Sequence, residues 1–198
     1  MNVLVIPEDF RKDQYMLKPI ITAMIKAVKK RSGSIKVRIC QNPLLGGISE
    51  ALKWENIETI INQYPMVDLF LLCVDRDGKE GHKVALDKIE KQATEILGDR
   101  QLFLAENAWQ EIEVWVLAGL KDLPREYNWQ EIRQEINPKE IYFLPLLQQK
   151  KLLDSVGEGR KELAKEAAQQ YDRIRQLCSE DIGNLESRIK GLLIGNDF

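Results

Sequence analysis

Six consecutive apolar residues, Leu69-Phe70-Leu71-Leu72-Cys73-Val74, run straight into Asp75-Arg76-Asp77-Gly78. A half-solvated strand alternates apolar and polar side chains. An unbroken apolar run fits a strand buried on both faces, as parallel sheets require. Parallel neighbours need long crossover connections, usually helices, and the chain supplies them. Short apolar runs at 3–6, 35–40 and 101–105 are read as further strands. Residues 3–6 are placed centrally, and 35–40, where Lys36 and Arg38 alternate with Ile35, Val37 and Ile39, near an edge. Between and after the strands, helical spacing predicts helices over 13–28, 49–63, from the loop 79–82 through 97, and over 109–120. Within the first, Met16, Leu17, Ile20, Ile21, Met24 and Ile25 recur on one face, and Pro19 marks either a kink or the first turn. Alternation of this kind defines an α/β, three-layer, Rossmann-like domain with a mostly parallel sheet.

The character changes after residue 120. Pro124, Pro138 and Pro145 interrupt short segments, including a helix over 129–136, and helices are predicted over 161–177 and 181–193. The domain reading is therefore an α/β domain at 1–120 with a helical extension, 121–198, packed on it. A hydrophobic content of 44% suffices for a sizeable core, and the net charge of −2 neither requires nor excludes a nucleic-acid partner. Three widely spaced cysteines suit neither a metal knuckle nor a disulfide frame, and Cys40 and Cys73 read as small buried residues. The first residues lack the basic segment of a signal peptide and no run approaches a membrane span, so a soluble cytoplasmic protein is expected.

In open α/β sheets, ligands gather beyond the carboxyl ends of the strands. Glu8 follows the first strand, Asp75 and Asp77 the third, and Glu106 the fourth. Carboxylates converging there are hard oxygen ligands suited to Mg2+ or Mn2+. Two such ions can activate water and stabilise a leaving oxygen in phosphodiester cleavage. The catalytic candidates are Glu8, Asp75 and Asp77. The metal-ligand candidates are these three with Glu106 and Glu113; Glu111 ranks below Glu113, and both stand at a helix start, which acids suit in any case. Asp and Gly are also ordinary turn residues, and Glu8 can cap a helix, so each motif has a purely structural alternative. Asp13 reads as a helix cap, the Gly46-Gly47 pair as a turn, His82 as an ordinary helix-entry residue, and Trp109 and Trp115 as core residues of one helix. Lys79, Lys83, Arg100 or the basic C-terminal helices would hold a phosphate backbone, although basic residues alternating with acids, as in those helices, ordinarily form a solvated face.

A strand ending in Glu, followed by one ending in Asp-x-Asp within an alternating α/β domain, resembles the TOPRIM fold of topoisomerases, primases and overcoming-lysogenization-defect nucleases. The wider layout resembles the TOPRIM-like DUF4276 group, related to RloB-type proteins of bacterial defence loci. The resemblance rests on residues 8–15 after the first strand, on Asp75-Arg76-Asp77-Gly78, and on residues 106–115, and it covers roughly residues 1–120. Gly81 departs by one position from the usual Asp-x-Asp-x-x-Gly, and Asp9 follows Glu8 where many relatives have glycine. What the resemblance implies is a Mg2+-dependent nuclease in a bacterial defence or mobile-element system. The alternative is a non-catalytic metal-binding partner module of an ATPase.

Overall fold

The computed structural model describes residues 1–29, 34–79, 81–98 and 101–195. Among them, the strands β1 (Asn2–Pro7), β2 (Lys36–Ile39), β3 (Leu69–Asp75) and β4 (Leu102–Ala108) form one all-parallel sheet in the order β2-β1-β3-β4. The unbroken apolar run is β3, and all of Leu69 to Val74 is buried. Period-two alternation splits the strands between two cores. Val3, Val5, Leu69, Leu71, Cys73 and Leu104 face one core; Leu4, Ile6, Phe70, Leu72, Val74 and Phe103 face the other.

The first core is covered by α1 (Phe10–Val28), which presents Met16, Leu17, Ile20, Ile21, Met24 and Ile25, and the second by the helices between β2 and β4. These are α2 (Ile48–Ala51), α3 (Trp54–Gln63) and α4 (Gly81–Leu97). The fold is thus α/β with three layers. The connections leave β1 and β3 on opposite faces, which makes the gap between these adjacent strands the topological switch point of the sheet.

After β4 come α5 (Glu113–Gly119), α6 (Trp129–Gln134), a π-helical turn Lys139–Phe143 and α7 (Leu144–Gln149). Then follow α8 (Arg160–Ala168), α9 (Tyr171–Leu177), a second π-helical turn Ser179–Gly183 and α10 (Asn184–Gly195). Phe143, Leu163, Ala167, Ile174, Ile182 and Ile189 join the core of the α1 face. At the α5–α8 contact, a Cβ on Gly119 would stand 2.5 Å from the Cβ of Ala167, so only glycine permits this approach. The helices beyond residue 120 therefore complete one sheet face.

Several boundaries differ from expectation. Asp9, not Asp13, caps α1: its side chain accepts from the Arg11 N–H at 2.8 Å, while Asp13 reaches back to the Asp9 N–H at 3.1 Å. Pro19 lies well inside α1. The helix expected over 49–63 is two, α2 and α3, and that over 161–177 is also two, α8 and α9. β4 runs three residues past its expected end, so the following helix starts at Glu113 and Trp109 lies in the intervening loop, 36% exposed, rather than in the core. Trp115 is fully buried, as expected. Cys40, Cys73 and Cys178 are buried and free. No helix among the described residues is long and apolar enough to cross a membrane. Arg100 lies outside the described residues.

Candidate metal centre

Parallel pairing in register aligns the carboxyl ends of β1, β3 and β4. Pro7 pairs with Cys73, and Asp75 with Ala108. Glu8 leaves β1 and its Oε2 accepts from the Asp75 N–H at 3.1 Å. The Gly46-Gly47 pair serves this segment: Gly47 N–H donates to the Glu8 carbonyl at 2.9 Å, from a left-handed φ of 108° that favours glycine.

Beyond Asp75 the chain turns sharply, with φ of +49° at Asp77 and +67° at Gly78. Gln110, itself at φ +76°, holds that turn. Its carbonyl accepts from the Arg76 and Asp77 N–H groups at 2.7 and 3.2 Å, and its Oε1 accepts from the Gly78 N–H at 3.0 Å. Asp75 Oδ1 in turn accepts from the Ile112 N–H at 2.8 Å. The loop after β4 and the turn after β3 are thus one hydrogen-bonded unit, and Glu111 is carried into it.

Asp75, Asp77 and Glu111 each offer a carboxylate oxygen, and the three oxygens lie within 4.8 Å of one another. Oxygens sharing an octahedral Mg2+ stand about 3–4 Å apart, so small side-chain adjustments bring this set to a single ion. Glu111 is steadied by Lys139, whose backbone N–H and Nζ donate to it at 2.7 and 3.2 Å.

Around this triad the charge is unbalanced. Glu8, Asp13 and Glu113 stand against Asp75, and the cations near them include Lys139 and the fully buried Arg160. Arg160 Nη2 lies 3.6 Å from Glu113, and its Nη1 2.6 Å from Glu158. Burial raises the Glu8 carboxyl to about 7, helped by Asp77 and Asp9 and opposed by the Asp75 N–H and Lys139. Burial, then Glu113, raises Asp13 to about 8. Burial raises Asp75 well above the carboxylate range, and Glu113, Glu8 and Asp13 add to it. Glu111 and Glu113 are raised by burial as well. Charged carboxylates this close need a cation or protons. An all-carboxylate oxygen set, from half-buried Asp75, exposed Asp77 and buried Glu111 with further buried acids beside it, fits a hard divalent ion.

The expected ligands are therefore only partly brought together. Asp75 and Asp77 converge. Glu8 sits behind them as an acceptor for the Asp75 backbone. Glu113 is buried beside them, engaged with Arg160, and is not among the converging oxygens. Glu106 is inside β4, not at its end; its Oε2 lies 3.4 Å from Arg188 Nη1, and burial raises its carboxyl to about 7. His82, in the first turn of α4, places its Nδ1 3.3 Å from the Asp75 carbonyl. Glu111, not Glu113, is among the converging oxygens, because the loop after β4 delays the start of α5. Asp13, for which capping was the simpler reading, is buried beside the site, and Gln110 and Lys139 join it without having been expected there.

Comparison with protein-family models, with curated proteins and with solved structures returns no match.

Proposed function

We propose that the chain is a Mg2+- or Mn2+-dependent phosphodiester hydrolase acting on nucleic acid. The observation that carries this reading is the convergence of Asp75, Asp77 and Glu111 at the carboxyl edge of an all-parallel sheet, beside its switch point. Asp75, Asp77 and Glu111 would hold the ion. Bound there, a divalent ion supplies Lewis-acid polarisation of a phosphoryl oxygen and a more acidic bound water.

The chain's own groups supply the rest. Glu8, with its carboxyl near 7, is able to take or give a proton close to neutral pH. Gln110 fixes the turn that carries Asp77, and Lys139 orients Glu111 and balances its charge. The resemblance to TOPRIM-like nucleases points the same way, and a cytoplasmic setting in a defence or mobile-element system belongs to the same proposal.

The test is cleavage. Purified protein with Mg2+ or Mn2+ is expected to cut one of single-stranded DNA, duplex DNA or RNA, and Asp75→Asn to abolish that cleavage. Equal inertness of wild type and variant toward all three would count against hydrolysis and favour a non-catalytic module working beside an ATPase.

A further inference from the structure

A second surface has a different chemistry. α1 and α8 pack against each other, and an open groove of about 620 Å3 runs between them. Lys18 and Lys26 line it from α1, Lys161 and Lys165 from α8, and Tyr15 and Pro19 contribute ring surface. Among the described residues no carboxylate lines it, in a chain with 31 acidic residues. Among the described residues none of the four lysines forms an ion pair. Sequence spacing explains the sorting: Lys18, Thr22 and Lys26 fall four apart on one stripe of α1, as Lys161 and Lys165 do on α8, while Glu162 and Glu166 fall outside the groove.

The groove also has a direction. It begins at Gln14, next to Asp13 of the acidic cluster, and ends at Lys26, about 18 Å away at 1.5 Å per residue. The Tyr15 ring is held in place by Gly157, where a Cβ would come within 2.4 Å of it. A basic channel with a fixed aromatic ring is the arrangement that binds single-stranded nucleic acid without reading its sequence.

We propose that the α1–α8 groove binds the phosphodiester backbone of single-stranded nucleic acid and leads it toward the carboxylates at the sheet edge. The second half of this statement rests on the hydrolase reading; the first does not.

Fluorescence anisotropy with a labelled oligothymidine, in EDTA at low salt, tests it on the full chain. The variant carries Lys18→Ala, Lys26→Ala, Lys161→Ala and Lys165→Ala together. Its affinity should fall about tenfold or more, and the slope of log affinity against log salt should lessen by about 3 for four lost phosphate contacts. Arginine at the same four positions should retain binding. Far-UV circular dichroism checks that each variant is folded; these are surface side chains, and Lys→Ala favours helix.

Quadruple-variant affinity and slope equal to wild type would overturn the proposal. So would the absence of oligonucleotide binding by the wild type, or binding of anionic vesicles in its place. The two readings fail separately. Lysine-dependent binding without metal-dependent cleavage removes only the hydrolase, and cleavage with lysine-independent binding removes only the groove.

Discussion

The Glu8 carboxylate accepts a hydrogen bond from the Asp75 backbone N–H at 3.1 Å, tying the end of β1 to the end of β3 across the switch point of the sheet. Glutamine in its place keeps an acceptor but removes the charge. Glu8→Gln should therefore fold with an unchanged or higher thermal midpoint. Its Mn2+ affinity should be lower by about tenfold or more, the usual cost of altering a group that orients a ligand. Calorimetric titration with Mn2+ and thermal unfolding of the same samples separate the two effects.

Gln110 holds the Asp75–Gly78 turn with its backbone carbonyl and its side chain together. Gln110→Gly keeps the carbonyl bonds and relieves the left-handed φ, but loses the bond to the Gly78 N–H. Removing one hydrogen bond costs about 1 kcal/mol, partly offset by that relief. Denaturant unfolding should show that small change, while Mn2+ affinity drops about tenfold as Asp77 loosens. A full loss of fold with no prior loss of metal affinity would mean that the turn is purely structural.

Proton binding gives the site a definite pH signature. Glu8 and Asp13 have folded-state values of about 7 and about 8, above their ordinary carboxylate values. The folded protein thus holds more protons than the unfolded chain between those limits. The stability this confers is fully present below the unfolded values and is lost as pH rises through the folded ones. Without metal, the thermal midpoint should fall between about pH 5 and about pH 8.5. With Mn2+ the fall should shrink, and Mn2+ affinity should rise over the same range, because metal and protons compete for these carboxylates. Differential scanning calorimetry at several pH values, with and without Mn2+, checks both slopes.

Asp181, 2% exposed, binds the strand-end loop to the C-terminal helices. It accepts from the Trp109 N–H at 2.8 Å and from Trp115 Nε1 at 2.7 Å, and Arg133 lies 3.5 Å away. Asp181→Ala would leave a buried arginine and two N–H groups without this acceptor, a loss of about 3 kcal/mol. Urea unfolding should show it as a lower midpoint with an unchanged slope.

The sheet was legible because each strand carries its own signal. The unbroken run at 69–74 required burial on both faces, and the alternation with helices placed Glu8, Asp75 and Asp77 on one edge. Less legible was where β4 ends and the next helix begins. β4 extends to Ala108, which put Glu106 inside the strand and let the following loop deliver Glu111 in place of Glu113. Local spacing could not show this, since apolar residues 112–120 read as helix from either starting point. Asp13 looks like a cap in sequence; only the packing of α1 against the sheet buries it beside Glu113. Lys139 and Arg160 come from distant, proline-interrupted segments, so their approach to the acids depends on tertiary packing alone.

The proposed function stands on Asp75, Asp77 and Glu111 together holding one divalent ion. Anomalous diffraction from a crystal soaked in Mn2+ tests it most directly. A peak bonded to oxygens of all three residues at about 2.0–2.6 Å is expected, and none in Asp77→Asn. A well-diffracting soaked crystal with no peak at these carboxylates, or with manganese bound only elsewhere, would contradict it.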